Sequence, residues 1–299
     1  MRPMTRIAAL HGSLWSYDRW YRLSWRVWPA SLALLICGWI FIDKPASPSP
    51  GSWAKPLIQS ARNTATPPSS VQADDMTKCF SDPKSTYWPA GACTRLIDAG
   101  QVRGRQLAAV YARRGFLWSE SQPDAALKDY DAALQVQPDF TDALTGRAWL
   151  RMSRREHDAA LEDLNKAIGL LSPDSSGMAR YYRGFAFLRL QDYPKALADL
   201  NDAQRYQPDN AEIYLARGEV EQAQKRYDAA LRNFDEFNTR APKDPRGLVW
   251  RSFVLEATSR THEALAAMDG ALALEPDNGT IRAERDRLRA KQDEGAASK

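Results

Sequence analysis

The chain has 299 residues, 44% of them hydrophobic and 26% charged, with a formal net charge of only +4. A chain so nearly neutral lacks the basic surface that nucleic-acid binding needs. With three histidines and three cysteines in all, it also offers little material for a metal centre.

The excess charge sits entirely in residues 1–42, where Arg2, Arg6, Arg19, Arg22 and Arg26 face Asp18 alone. Residues 1–26 form a basic, aromatic segment in which Trp15, Tyr17, Trp20, Tyr21 and Trp25 gather before an uncharged stretch, residues 27–42. That order predicts one transmembrane helix with its N-terminus on the cytoplasmic side and an aromatic belt at the interface. Sixteen residues reach about 24 Å, short of the roughly 30 Å hydrocarbon core, so Trp25 and a snorkelling Arg26 would extend the span. A cleaved secretory signal shares this pattern, but Pro45 stands before the nearest small-residue site at Ala46-Ser47. A lipidated Cys37 is a poorer fit, because bulky Ile36 precedes it.

Residues 43–71 hold Pro45, Pro48, Pro50, Pro56, Pro67 and Pro68 among serines, alanines and threonines, a composition for an extended tether rather than a core. Residues 72–104 read as a degenerate helical unit with Ala92 to Ile97 in its second helix. Cys79 and Cys93 lie within it, fourteen residues apart. With the basic flank on the cytoplasmic side, the segment faces an oxidising space, most simply a bacterial periplasm, where the two are expected to form a disulfide; unpaired buried thiols are the alternative.

From residue 105 to 278 one pattern returns. Ala126, Ala160, Ala196, Ala230 and Ala264 are separated by 34, 36, 34 and 34 residues, each followed by leucine. Upstream of them stand Arg114-Gly115, Arg147-Ala148, Arg183-Gly184, Arg217-Gly218 and Arg251-Ser252, a basic residue and then a small one that lets two helices approach. Four units end at Gln137-Pro138, Gln207-Pro208, Ala241-Pro242 and Glu275-Pro276. Each unit is therefore two amphipathic helices joined by a short turn.

This pattern resembles the tetratricopeptide repeat family. In the third unit Gly184, Phe187, Tyr193, Ala196, Leu200, Ala203 and Pro208 fall on its signature positions; in the fourth Tyr214, Gly218, Tyr227, Ala230, Phe234 and Pro242 do. Departures are Ala148 and Ser252 for glycine, Phe237 for a small residue, a first turn one residue short, and a late Pro173. The resemblance implies an all-α fold, a right-handed α-solenoid of five such units, preceded by the degenerate unit and closed by a polar capping helix in residues 279–299. It likewise implies that the first helices line a concave groove holding a peptide or helix of another protein.

Two recurring sets are candidates for function. Arg114, Arg147, Arg183, Arg217 and Arg251 recur with Asp129, Asp163 and Asp199, as an ion-pair ladder inside the repeats or as a ligand-binding row. Two residues after each arginine come Phe116, Trp149, Phe185, Glu219 and Phe253, with Met152, Tyr181 and Leu188 on nearby helical faces. These eight are the expected partner-binding residues, and packing between adjacent first helices is the competing reading. No cofactor, metal or catalytic group is expected, since no phosphate loop, nucleophile elbow or zinc spacing occurs, and His157 stands at a packing position. The expectation is a membrane-tethered, periplasm-facing protein-interaction scaffold and not an enzyme, without a small-molecule substrate. The alternatives are a regulatory or assembly subunit of an envelope enzyme and a soluble secreted adaptor.

Overall fold

A computed structural model describes residues 70–81 and 89–297, and within them thirteen α-helices and no strand. Helices α1 (Ser70–Cys79) and α2 (Pro89–Asp98) form the N-terminal unit. Five hairpins follow: α3 (Gly104–Trp118) with α4 (Pro123–Val136), α5 (Thr141–Ser153) with α6 (His157–Leu170), α7 (Gly177–Arg189) with α8 (Tyr193–Tyr206), α9 (Ala211–Ala223) with α10 (Tyr227–Arg240), and α11 (Arg246–Ala257) with α12 (Thr261–Leu274). Helix α13 (Gly279–Ala297) closes the series. Each hairpin packs on the next, and successive first helices α3, α5, α7, α9 and α11 also touch one another, so they make the inner layer of the solenoid.

The repeated small residues do what close packing requires. Ala126, Ala160, Ala196, Ala230 and Ala264 are wholly buried where the two helices of each hairpin cross. At Gly218 a Cβ would lie 2.3 Å from the Phe234 ring, so only glycine admits that ring. Ser252, in place of glycine, is buried too and donates its hydroxyl to the Ala264 carbonyl at 2.8 Å. The hydroxyl is thereby satisfied at no cost to the approach.

Helix ends follow from local chemistry. Gln137, Gln207, Ala241 and Glu275 precede proline and take extended φ near −142°, −136°, −126° and −131°, which ends each second helix. In the second unit this stop is missing, and a 3₁₀ turn at Pro173–Ser175 takes up the two additional residues behind the spacing of 36. Between first and second helices, Arg155, Gln191, Lys225 and Ser259 adopt φ of 60–64°. Each is followed by a backbone bond back to the carbonyl five residues earlier, as from Glu156 to Arg151 and from Arg226 to Glu221. That is the left-handed C-terminal motif usually built on glycine. The first hairpin turns one residue sooner and lacks it.

The ends of the stack are secured differently. Cys79 and Cys93, both fully buried, form a disulfide between α1 and α2 with Cα atoms 4.9 Å apart. Arg113 on α3, about 1% exposed, donates to the carbonyls of Cys79 and Ser81 and so pins the end of α1 to the first hairpin. At the other end α13 buries Ile281 and Leu288, while Arg287 and Lys291 clamp Glu256 of α11. Burial alone would raise the Glu256 pKa, but these hydrogen bonds hold it below the ordinary carboxylate value. Helix α13 runs from Gly279 to Ala297, within the segment 279–299 expected to cap the stack.

Among the described residues no helix is long and apolar enough to cross a membrane. The expected span at residues 27–42, the segment 1–26, Cys37 and all but the end of the tether 43–71 lie outside the described residues.

Candidate functional site

The eight expected partner-binding residues all fall on the inner helices: Phe116 on α3, Trp149 and Met152 on α5, Tyr181, Phe185 and Leu188 on α7, Glu219 on α9 and Phe253 on α11. Their burial is uneven. Trp149 is about 1% exposed, and Tyr181, Phe185, Met152, Leu188 and Phe253 are buried with it; of the rings and apolar side chains only Phe116 is half-buried. The row is therefore mostly a packed seam between successive first helices. A ring already buried offers a partner little further area.

Charge enters the seam at one place. Glu219 occupies the aromatic register in the fourth unit and is buried, and Arg189 of α7 reaches it across the unit boundary at 3.4 Å. The same guanidinium lies over the Phe185 ring at 4.5 Å, within cation–π range. Burial pushes the Glu219 carboxyl up to about 7, with Arg189 and Arg246 opposing the shift and Glu212 adding to it. At Phe116 the ring is capped in turn by Arg113 at 5.3 Å. Arg113 carried no repeat signature, and its role as a clamp could have been suspected only from two consecutive arginines in the first unit where the others have one.

The arginine row is an ion-pair ladder. Arg114, Arg147 and Arg183 each present Nε and a terminal nitrogen to the carboxylate of Asp129, Asp163 and Asp199 on their own second helix, at 2.6–2.9 Å. A third nitrogen reaches back to the preceding unit, to Thr94, Asp131 and Asn165 in turn. The aspartates are buried, and such bidentate pairs are the strong kind. The ladder joins each first helix to its own second helix and to the one before it, and arginine and aromatic, two residues apart, fall on opposite sides of the first helix. His157 is the first residue of α6 and is half-buried. No group of three or more His, Cys, Asp or Glu that could hold a metal occurs among the described residues.

A family model described as tetratricopeptide repeat matches residues 117–176 and 181–245. No curated protein sequence matches the chain. Among solved structures, the chain is similar to PilW, a widely conserved type IV pilus biogenesis factor (TM-score 0.59, 12% identity, 78% of this chain and 98% of that one). It is similar also to a tetratricopeptide repeat protein from Parabacteroides merdae (0.56, 18%, 81% and 88%) and to one from Thermus thermophilus (0.54, 22%, 61% and 99%). At these identities the likeness is one of fold.

Proposed function

Since the solenoid belongs to the tetratricopeptide repeat family, we propose that it is a non-covalent scaffold that holds a segment of another protein along its inner helices. The observation that carries this is the continuous inner layer from α3 to α11, in which aromatic rings recur at one register and one ring, Phe116, is only half-buried. Phe116 is the anchor of this reading, since a partly exposed ring supplies large contact area at small conformational cost. Trp149, Met152, Tyr181, Phe185, Leu188 and Phe253 shape the floor, and the Arg189–Glu219 pair sets a polar boundary across which an apolar segment would not extend.

In this proposal residues 27–42 anchor the chain in a bacterial inner membrane and residues 43–71 tether the solenoid on the periplasmic side. The buried Cys79–Cys93 bond supports an oxidising compartment. The tether raises the local concentration of solenoid for membrane-borne partners without any new contact.

The test is photo-crosslinking in intact cells with a photoreactive residue at Phe116 or at Lys166, an exposed position on α6. A defined protein adduct from position 116 and none from 166 is the expected result. Equal labelling from both would overturn the inner-face assignment. Extraction of washed membranes at alkaline pH checks the anchor separately, and full-length chain in the supernatant would remove it.

A further inference from the structure

The ion-pair ladder breaks at the fourth unit. The position held by Asp129, Asp163 and Asp199 is occupied there by Asn233, which turns away and donates its side-chain amide to the Ala229 carbonyl at 2.9 Å. Arg217 is thus left without its carboxylate. A terminal nitrogen reaches Gln204 on α8, but its Nε is buried with no hydrogen-bond acceptor among the described residues. Burial pushes its pKa down, with Glu221 and Tyr214 opposing, whereas Arg114, Arg147 and Arg183 are all raised by their aspartates.

Where the aspartate is lost, a cleft opens. It has a volume of about 480 Å³ and lies among α8, α9 and α10, bordered by Gln204, Tyr214, Arg217, Asn233 and Arg240. Its two acidic residues are already engaged, Glu221 by Arg226 and Glu236 by Arg240. Arg232, also on its wall, is exposed and makes no ion pair among the described residues. The cleft thus presents positive charge and an unused guanidinium edge.

We propose that this cleft binds a carboxylate from an acidic segment of a partner protein, seated on Arg217 as Asp129, Asp163 and Asp199 are seated on their own arginines. The fold itself identifies the ligand chemistry. Three times over, an arginine at this register is matched by a planar, two-oxygen acceptor presented from the second-helix side. A carboxylate accepts from the parallel N–H groups of one guanidinium edge in two bonds. The cleft is lined by α8, α10 and the face of α9 that carries Arg217, not the face that carries Glu219, and the proposal rests on the scaffold reading only in taking the occupant to be protein.

The experiment measures binding of a fluorescein-labelled hexaglutamate peptide to the full-length protein, with hexaglutamine as the uncharged control. Asn233→Asp restores the internal carboxylate. It is expected to raise the melting temperature and to weaken hexaglutamate binding at least tenfold. Arg217→Gln is expected to weaken it as much. Gln135→Glu, which adds the same charge on exposed α4, is expected to leave binding within twofold. The proposal is overturned if Asn233→Asp binds like the wild type, if Gln135→Glu weakens binding equally, or if hexaglutamate binds no better than hexaglutamine. Inorganic phosphate that binds the site more tightly than hexaglutamate would overturn the carboxylate assignment in favour of a phosphoryl ligand. Because Asn233→Asp is expected to stabilise the fold, a loss of binding in that variant cannot be ascribed to unfolding. Loss of the Phe116 adduct would leave this result untouched, so the two readings fail separately.

Discussion

Arg114 and Asp129 show what one rung of the ladder contributes. Asp129 is buried, and Arg114 holds both of its oxygens, so removing the arginine strands a buried charge. Arg114→Met is expected to cost about 2–3 kcal/mol in urea unfolding, and Asp129→Leu added to it should recover much of that. An unrecovered loss would mean that the cation–π contact of the Arg114 guanidinium with Trp118, 4.6 Å from the ring, matters more than the ion pair. Glu219 behaves oppositely. Its folded-state pKa of about 7 lies above the ordinary 4.5. The folded chain therefore holds that proton more tightly than the unfolded chain does. Its ionisation costs nothing below about pH 4.5, and stability declines as pH rises toward 7, by on the order of 3 kcal/mol. Beyond pH 7 the cost is constant. Glu219→Gln should remove this slope, so that its advantage over the wild type grows between pH 5 and pH 8. Equal slopes in the two proteins would show that Glu219 is not the titrating group.

Lys225 marks the element scale, because the hairpin of α9 and α10 turns on it at φ 60°. A non-glycine residue in that region costs roughly 1–2 kcal/mol, set against the lower chain entropy it brings to the unfolded state. Lys225→Gly is expected to raise stability by about 0.5–1 kcal/mol, read as a shift in the urea midpoint at unchanged slope. What was legible at this scale was the register: Ala230 and Gly218 had to be small because two helices cross there, and proline after Ala241 had to end α10. The left-handed turn was not legible, because Arg155, Gln191, Lys225 and Ser259 share no side-chain chemistry. The geometry is imposed by the packing of the helices on either side. Nor could Trp149 be assigned to seam or groove from spacing. Both place an aromatic on the same helical face, and the distance between neighbouring first helices decides. The absence of Asp at position 233 was visible in the sequence, but its meaning required seeing Arg217 left without the carboxylate.

At the scale of the whole molecule, each hairpin touches mainly its neighbours, so stability is a sum of local terms joined by interfaces. The two ends then fail independently. The N-terminal end depends on the Cys79–Cys93 bond and on Arg113, which reads the backbone of α1 from α3. On the loop-closure model a ring of this size contributes about 3 kcal/mol. A fourteen-residue closure is a large share of what a two-helix unit can bury. Reduction should therefore open α1 and α2 and loosen α3, whose arginine would lose its acceptors. Helices α9 to α12, several interfaces away and latched through Glu256 to α13, should keep their amide protection. Hydrogen exchange of the full-length protein with and without reductant measures this directly: faster exchange confined to residues 70–118 is the expected outcome. Uniform acceleration along the chain would show one cooperative unit instead, in which case a partner seated at Phe116 would stabilise the entire solenoid rather than its first hairpins.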